Sequence, residues 1–349
     1  MIARRAGRGP LAFDPVGLEL SAEERDMLAH PLVGGVILFR HNYADPAQLR
    51  ALIADCRAAH GVHPLVLVDH EGGRVQRFRD GFSALPPAAA LGWLHGRDPD
   101  EAIATAAAVG RVMAQELAAV GVDVNLAPVV DLQGGGSVIG SRAFSADPAV
   151  TTALAAAVVQ GIQSGGLGAV AKHFPGHGGV VEDTHTAQAV DPRPWDTLRE
   201  RDAAPFEALV RAGIDGVLPA HVCFSAIDDR PVGFSRRWLQ GVLRQQLGFA
   251  GLIISDDLSM AAAAMPGGIV ASAEAALAAG CDLILSCQRP GAVATLLDGL
   301  RDVGEQDARA RRVDALRQRS ASRAANVHVG DAARIQTLDR AWQESAATP

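Results

Sequence analysis

The sequence predicts an α/β protein built as a single (β/α)8 barrel of the TIM type with extra C-terminal helices. Three observations carry this. Eight short apolar runs alternate with longer helical patterns, the rhythm of strand–helix units. The 349 residues are 48% apolar and only 4% aromatic, and small aliphatic residues suit helices packed on a parallel sheet. The densest groups of ionisable residues follow the apolar runs, which is where barrels of this kind gather their functional side chains.

The strands are expected at 10–13, 35–39, 65–69, 122–126, 169–173, 216–220, 252–256 and 282–286. Helices are expected near 22–30, 46–60, 99–120, 148–165, 197–213, 235–247, 270–280 and 291–302. Asp45-Pro46 and Asp147-Pro148 each set a capping acid before a first-turn proline. A doubly wound open sheet is the alternative, but no GxGxxG or GxxxxGK[ST] follows a strand. The barrel is assigned to 1–303. The charged, alanine-rich stretch 304–349 is expected to be a C-terminal helical extension and tail, packed on the barrel or trailing from it.

Composition excludes several classes. The net charge is −7, against the basic balance or stripe of a nucleic-acid binder. Arg309, Arg311, Arg312, Arg317 and Arg319 alternate with acidic and apolar residues and read as a solvated helix face. The four cysteines form no CxxC pair and no zinc spacing, which fits a reducing compartment. Arg4, Arg5 and Arg8 precede no apolar run, and 9–20 is interrupted by Pro10, Asp14 and Pro15. Neither a signal peptide nor a membrane span is expected, so the reading is a cytoplasmic protein without nucleic-acid or membrane partners; it is expected to be a monomer.

Four stretches can carry chemistry. Residues 251–257 form a buried-strand pattern ending in Asp256 and Asp257. Side chains alternate along a strand, so Leu252, Ile254 and Asp256 share one side, and only one of the two carboxylates is expected to lead into the barrel mouth. The other would cap the segment that follows. Between 172 and 185 lie Lys172, His173, His177, Glu182, Asp183 and His185, among glycines that let backbone approach a ligand closely. Asp183 and His185, two apart, face the same way in an extended segment. A carboxylate on one imidazole nitrogen sets the tautomer and raises the basicity of the other, as a general acid/base needs. Asp69, Glu71, Arg74 and Arg77 around Gly72-Gly73 offer acceptors and donors for hydroxyl-rich ligands. Arg142 follows a run of three glycines. Zinc held by some of His173, His177, Asp183, His185 and His221 is a competing reading, without HExxH or firm ligand spacing to support it. A Schiff-base aldolase using Lys172 is another.

These motifs resemble glycoside hydrolase family 3, and within it the single-domain bacterial β-N-acetylglucosaminidases of cell-wall recycling. The matching segments are GGVILF (34–39), VDHEGGRVQRF (68–78), NLAPVVDL (125–132), VIGSRAF (138–144), AKHFPGHGGVVEDTHT (171–186) and IISDDLSM (253–260), with AGCDLIL (279–285) agreeing more loosely. The resemblance implies that Asp256 is the nucleophile, His185 the acid/base and Asp183 its partner. It also implies that Asp69, Arg77, Arg142, Lys172 and His173 hold an N-acetylglucosamine. Retention of configuration is implied, with no metal or cofactor, on an amino-sugar or muropeptide substrate that is an N-acetylglucosaminyl anhydro-muramyl sugar, usually carrying a stem peptide. His70 stands where the family usually has glutamine, and Ser141 and Ala143 flank Arg142 where Asp and Ser are common. Two further readings stay open beside hydrolysis: transfer to phosphate, since a neutral imidazole repels an anionic nucleophile less than a carboxylate does, and a non-catalytic amino-sugar binder.

Overall fold

The structure, a computed structural model, describes residues 9–134, 136–180, 182, 184, 188–301, 306–322 and 331–347. Eight parallel strands close into a barrel, each beside its neighbours in sequence, with the first against the last. They are β1 (Leu11–Phe13), β2 (Val33–Leu38), β3 (Leu65–Val68), β4 (Val124–Asn125), β5 (Gly168–Phe174), β6 (Gly216–Pro219), β7 (Leu252–Asp257) and β8 (Leu283–Ser286). All eight lie where the apolar runs place them. The helices between them match as well, with one addition, Ala88–His95 between β3 and β4, and one split. The expected 197–213 helix is two, Trp195–Glu200 and Ala204–Arg211, the second opening at Pro205. The Asp45 carboxylate accepts the N–H groups of Ala47 and Gln48, and the Asp147 carboxylate accepts that of Ala149, so both caps form as read. Pro99–Val120 is long and apolar enough to cross a membrane, yet Ala106, Val109, Met113 and Leu117 on it are buried in the core.

Period-two alternation builds the interior. Leu65 and Leu67, Leu252 and Ile254, and Leu283 and Leu285 point into the barrel, while Val66, Ile253 and Ile284 pack against the helices. Val313 and Leu316, on the helix Gln306–Ser322, join the interior cluster. That helix therefore packs against the N-terminal ends of the strands. Its face is only partly the solvated one the sequence suggested: Arg311 and Arg319 are exposed. Arg309 is buried, Arg312 pairs with Asp282 at 2.6 Å and Arg319 pairs with Asp215 at 3.1 Å. Periodicity alone hid this, because the acids that receive these arginines lie far away in sequence.

Those acids form a pattern. Asp123, Asp215 and Asp282 immediately precede, or lie just before, β4, β6 and β8, each in a Gly-X-Asp triplet. Each accepts the backbone N–H of a residue in the preceding strand: Val66, Ala169 and Ile253 respectively. Each also meets an arginine: Arg57, Arg319, and for Asp282 both Arg244 and Arg312. The carboxylates thus fasten neighbouring strands in register at the closed end.

Candidate active site

At the opposite end the inward rows continue into polar residues. Leu65 and Leu67 lead to Asp69, Val170 leads to Lys172, and Leu252 and Ile254 lead to Asp256. These three, with Arg77, Arg142 and His173, line one cavity of about 620 Å³ at the C-terminal mouth. Every described residue to which the resemblance gives a site role is therefore brought together. Asp183 and His185 lie outside the described residues. Thr184, which stands between them in sequence, is buried and lines the same cavity.

Lys172 is the hub of an ion network. Its Nζ lies 2.6 Å from Asp69 Oδ1 and 2.6 Å from Glu71 Oε1, with only 3% of the side chain exposed. Arg77 meets the other Asp69 oxygen at 3.2 Å, and Arg142 grips Glu71 through two bonds of 2.8 Å. Burial opposes ionisation of Asp69, but Lys172 and Arg77 prevail and hold its carboxyl below the usual carboxylate range. For Glu71 burial likewise opposes, and Lys172 and Arg142 outweigh it strongly. The same carboxylates raise Lys172 above its ordinary value, against burial. A lysine held this firmly as an ammonium is a poor Schiff-base nucleophile, which requires the neutral amine. It is suited to donating hydrogen bonds.

Both carboxylates that end β7 line the cavity, against the expectation that only one would. The reason is an irregularity in the pairing of β7 with β8: Ile254 faces Leu283, but Asp257 faces Leu285. Three residues on one strand span two on the other, which breaks the alternation. The two acids still differ. Asp257 accepts N–H groups from Ser259 at 2.9 Å and Cys287 at 3.0 Å, and the Ser259 hydroxyl at 2.5 Å, so it caps the turn. Burial raises its pKa, against those bonds. Asp256 Oδ1 accepts only the Asp257 N–H, at 2.8 Å, and Oδ2 has no hydrogen-bond partner among the described residues. That oxygen is the one available to a ligand.

The remaining polar residues come from the end of β5 and from the loops after β4 and β5. The Lys172–His173 peptide bond is cis. His173 and His177 both line the cavity, with ring centroids 5.9 Å apart. His221 does not line it. Its ring stacks on Phe234 and its Nε2 lies 3.3 Å from the Asp257 carbonyl oxygen. Among the described residues no group of three His, Cys, Asp or Glu side chains is set to hold a metal ion. Asp131 is a partner of the site that the sequence did not assign, whereas Glu71, read from the sequence as a ligand acceptor, is engaged by Lys172 and Arg142. Glu71 is two residues beyond Asp69, a spacing that puts both on one side of an extended segment. Asp131 lies six residues beyond β4 with its carboxylate fully buried, and its sequence signal is its place in the segment 125–132, to which no role was given.

Comparison with known proteins agrees with this geometry. The family model described as "Glycosyl hydrolase family 3 N terminal domain" matches residues 11–319. The chain belongs to glycosyl hydrolase family 3. Among relatives in this family, a β-hexosaminidase of Tolumonas auensis is 50% identical over 296 residues, covering 84% of this chain and 87% of the relative. One from Methylococcus capsulatus is 48% identical over 309 residues, covering 88% and 91%. Among solved structures, NagZ from Neisseria gonorrhoeae in complex with N-trifluoroacetyl-D-glucosamine is 39% identical with a TM-score of 0.87, covering 95% of this chain and 98% of that one.

Proposed function

We propose that this family 3 glycosidase is a retaining β-N-acetylglucosaminidase that releases N-acetylglucosamine from muropeptide fragments by double displacement. The enzyme is a β-N-acetylhexosaminidase. The observation that carries the reading is the position of Asp256, whose Oδ2 has no described partner and whose side chain lines the cavity shared with Lys172, Arg77, Arg142 and His173. β-Hexosaminidase relatives near half identity and a neighbour solved with an N-acylated glucosamine support the sugar.

In the first step Asp256 attacks the anomeric carbon, and the bond to the leaving oxygen breaks. His185, protonated, gives that oxygen its proton, and a glycosyl ester on Asp256 results. In the second step His185 takes a proton from water, which attacks the same carbon from the vacated face and frees Asp256. Asp183 holds the imidazole. Asp69, Arg77, Arg142, Lys172 and His173 hold the hydroxyl groups and the N-acyl arm. Action on a small soluble muropeptide by a monomer in the cytoplasm completes the proposal.

The test is release of a chromogenic phenol from the β-N-acetylglucosaminide and from the plain β-glucoside, with and without phosphate. Wild-type enzyme is expected to prefer the former and to yield free N-acetylglucosamine. Preference for the glucoside overturns the sugar assignment, and a sugar phosphate as the main product overturns hydrolysis. A slow fluorinated glycoside should leave a mass-detectable sugar on Asp256. A label on another residue removes Asp256 from its role. Turnover of the N-acetylglucosaminyl anhydro-muramyl disaccharide, with and without peptide, tests the leaving group.

A further inference from the structure

We propose that Asp131 is a positioning residue that fixes the tautomer of His173, so that the ring offers a hydrogen-bond acceptor, Nε2, to a hydroxyl of the sugar. Asp131 is fully buried in the loop after β4. Its Oδ1 accepts the backbone N–H of His173 at 3.1 Å and that of His177 at 2.7 Å. Its Oδ2 lies 2.6 Å from His173 Nδ1. The loops after β4 and β5 are pressed together: a Cβ at Gly178 would sit 2.0 Å from the Leu132 carbonyl oxygen. The same carboxylate thus holds both the backbone and the ring of His173.

An ionised carboxylate only accepts hydrogen bonds. Burial opposes the charge on Asp131, but the neighbouring His173 and His177 and the bonds they make hold its carboxyl below the usual range. A 2.6 Å contact to such an oxygen puts a proton on Nδ1. In the neutral ring Nε2 then carries the lone pair. Among the described residues Nε2 has no partner, and the ring lines the cavity.

The surrounding groups make this acceptor useful. Lys172, Arg77 and Arg142 are donors, and Asp69 and Glu71 are already engaged by them. A sugar hydroxyl both donates and accepts. His173 Nε2 supplies an acceptor that no ion pair occupies. The identity of the hydroxyl-bearing ligand rests on the glycosidase reading, whereas the tautomer does not.

The test has two arms on the full-length chain. The first is nitrogen NMR of wild-type enzyme with labelled histidine, with the His173 signals assigned by their loss in H173Q. The expected result is a protonated-type Nδ1 and an unprotonated-type Nε2. A protonated Nε2 overturns the proposal. This arm needs no variant of Asp131, so it holds even if D131N does not fold. The second arm is a set of mono-deoxy β-N-acetylglucosaminides assayed on wild type and D131N. The Asn amide can donate to Nδ1 and so favours the other tautomer. D131N is expected to lose up to about 100-fold in kcat/KM on the parent glycoside, mainly through KM. It should also lose the penalty that wild type shows for one deoxy position. An unchanged penalty overturns the proposal. If wild type fails to release N-acetylglucosamine from the parent glycoside, the glycosidase reading falls while the spectrum still decides the tautomer.

Discussion

The two ends of the barrel carry similar charges and use them differently. At the closed end Asp123, Asp215 and Asp282 each accept a strand N–H as well as an arginine, and the helix Gln306–Ser322 packs against them. At the open end Asp69 and Glu71 take their hydrogen bonds from Lys172, Arg77 and Arg142, and all five line a cavity. A carboxylate tied to backbone fixes strand register. One tied to cationic side chains holds those cations in place for a ligand, without occupying all their donors. Arginine and lysine have several N–H groups each, so a cation can be paired and still bind.

Four experiments break or sharpen this contrast. The largest effect should come from Asp256→Ala, which is expected to lower kcat on the aryl N-acetylglucosaminide by at least about 10⁴-fold. Its thermal midpoint should stay near wild type, because among the described residues the Asp256 side chain accepts one bond, and that from its own neighbour. Turnover within tenfold of wild type would remove Asp256 from the chemistry.

Asp282→Ala should do the reverse. It takes away the acceptor of the Ile253 N–H and the carboxylate facing Arg244, whose side chain is 8% exposed. Removing one partner of such a buried pair costs about 3–5 kcal/mol, to be read from urea denaturation, with KM of the folded fraction unchanged. A change in KM without loss of stability would dissolve the division of labour between the two ends.

Acid separates the ends by sign. Asp69 and Glu71 have folded pKa values below their ordinary ones. Their contribution is present above the unfolded value, about pH 4, and is lost as pH falls through the folded value. Lys172→Met removes the cation behind both shifts, so the variant should lose less stability than wild type between pH 5 and 3, a window set by that reference value. Asp123 is the opposite case, raised by burial against its bonds to Val66 and Arg57. Its contribution is present below the unfolded value and fades as pH rises through the folded one. Urea midpoints at several pH values, compared for K172M and D123N, check that the two slopes change in opposite senses.

The smallest effect is the control. Asp147→Ala removes the cap of Pro148–Ser164 on the exposed surface. It should cost about 1 kcal/mol and leave kcat and KM as they are.

Much of the site was legible because it extends the inward rows of the strands. Asp69, Lys172 and Asp256 continue the 65/67, 170 and 252/254 positions, and a period of two needs only the local chain. Asp256 and Asp257 mark where that reasoning stopped. The irregular pairing with β8 turns both toward the cavity, and what separates them is that Ser259 and Cys287 occupy Asp257. Asp131 was passed over because its partners, His173 and His177, come from another strand and the loop after it. Arg309 and Arg312 of Gln306–Ser322, buried or paired with Asp282, were misread for the same reason.

The sequence by itself determined the order of strands and helices, the inward rows and the motifs of the family, since each depends on spacing within one segment. Only the tertiary structure decided which charge meets which: Lys172 between Asp69 and Glu71, Arg312 on Asp282, and His173 on Asp131. Hydrogen bonds and ion pairs act over a few ångströms of space, and barrel closure brings within that range residues that are tens to hundreds of positions apart in the chain.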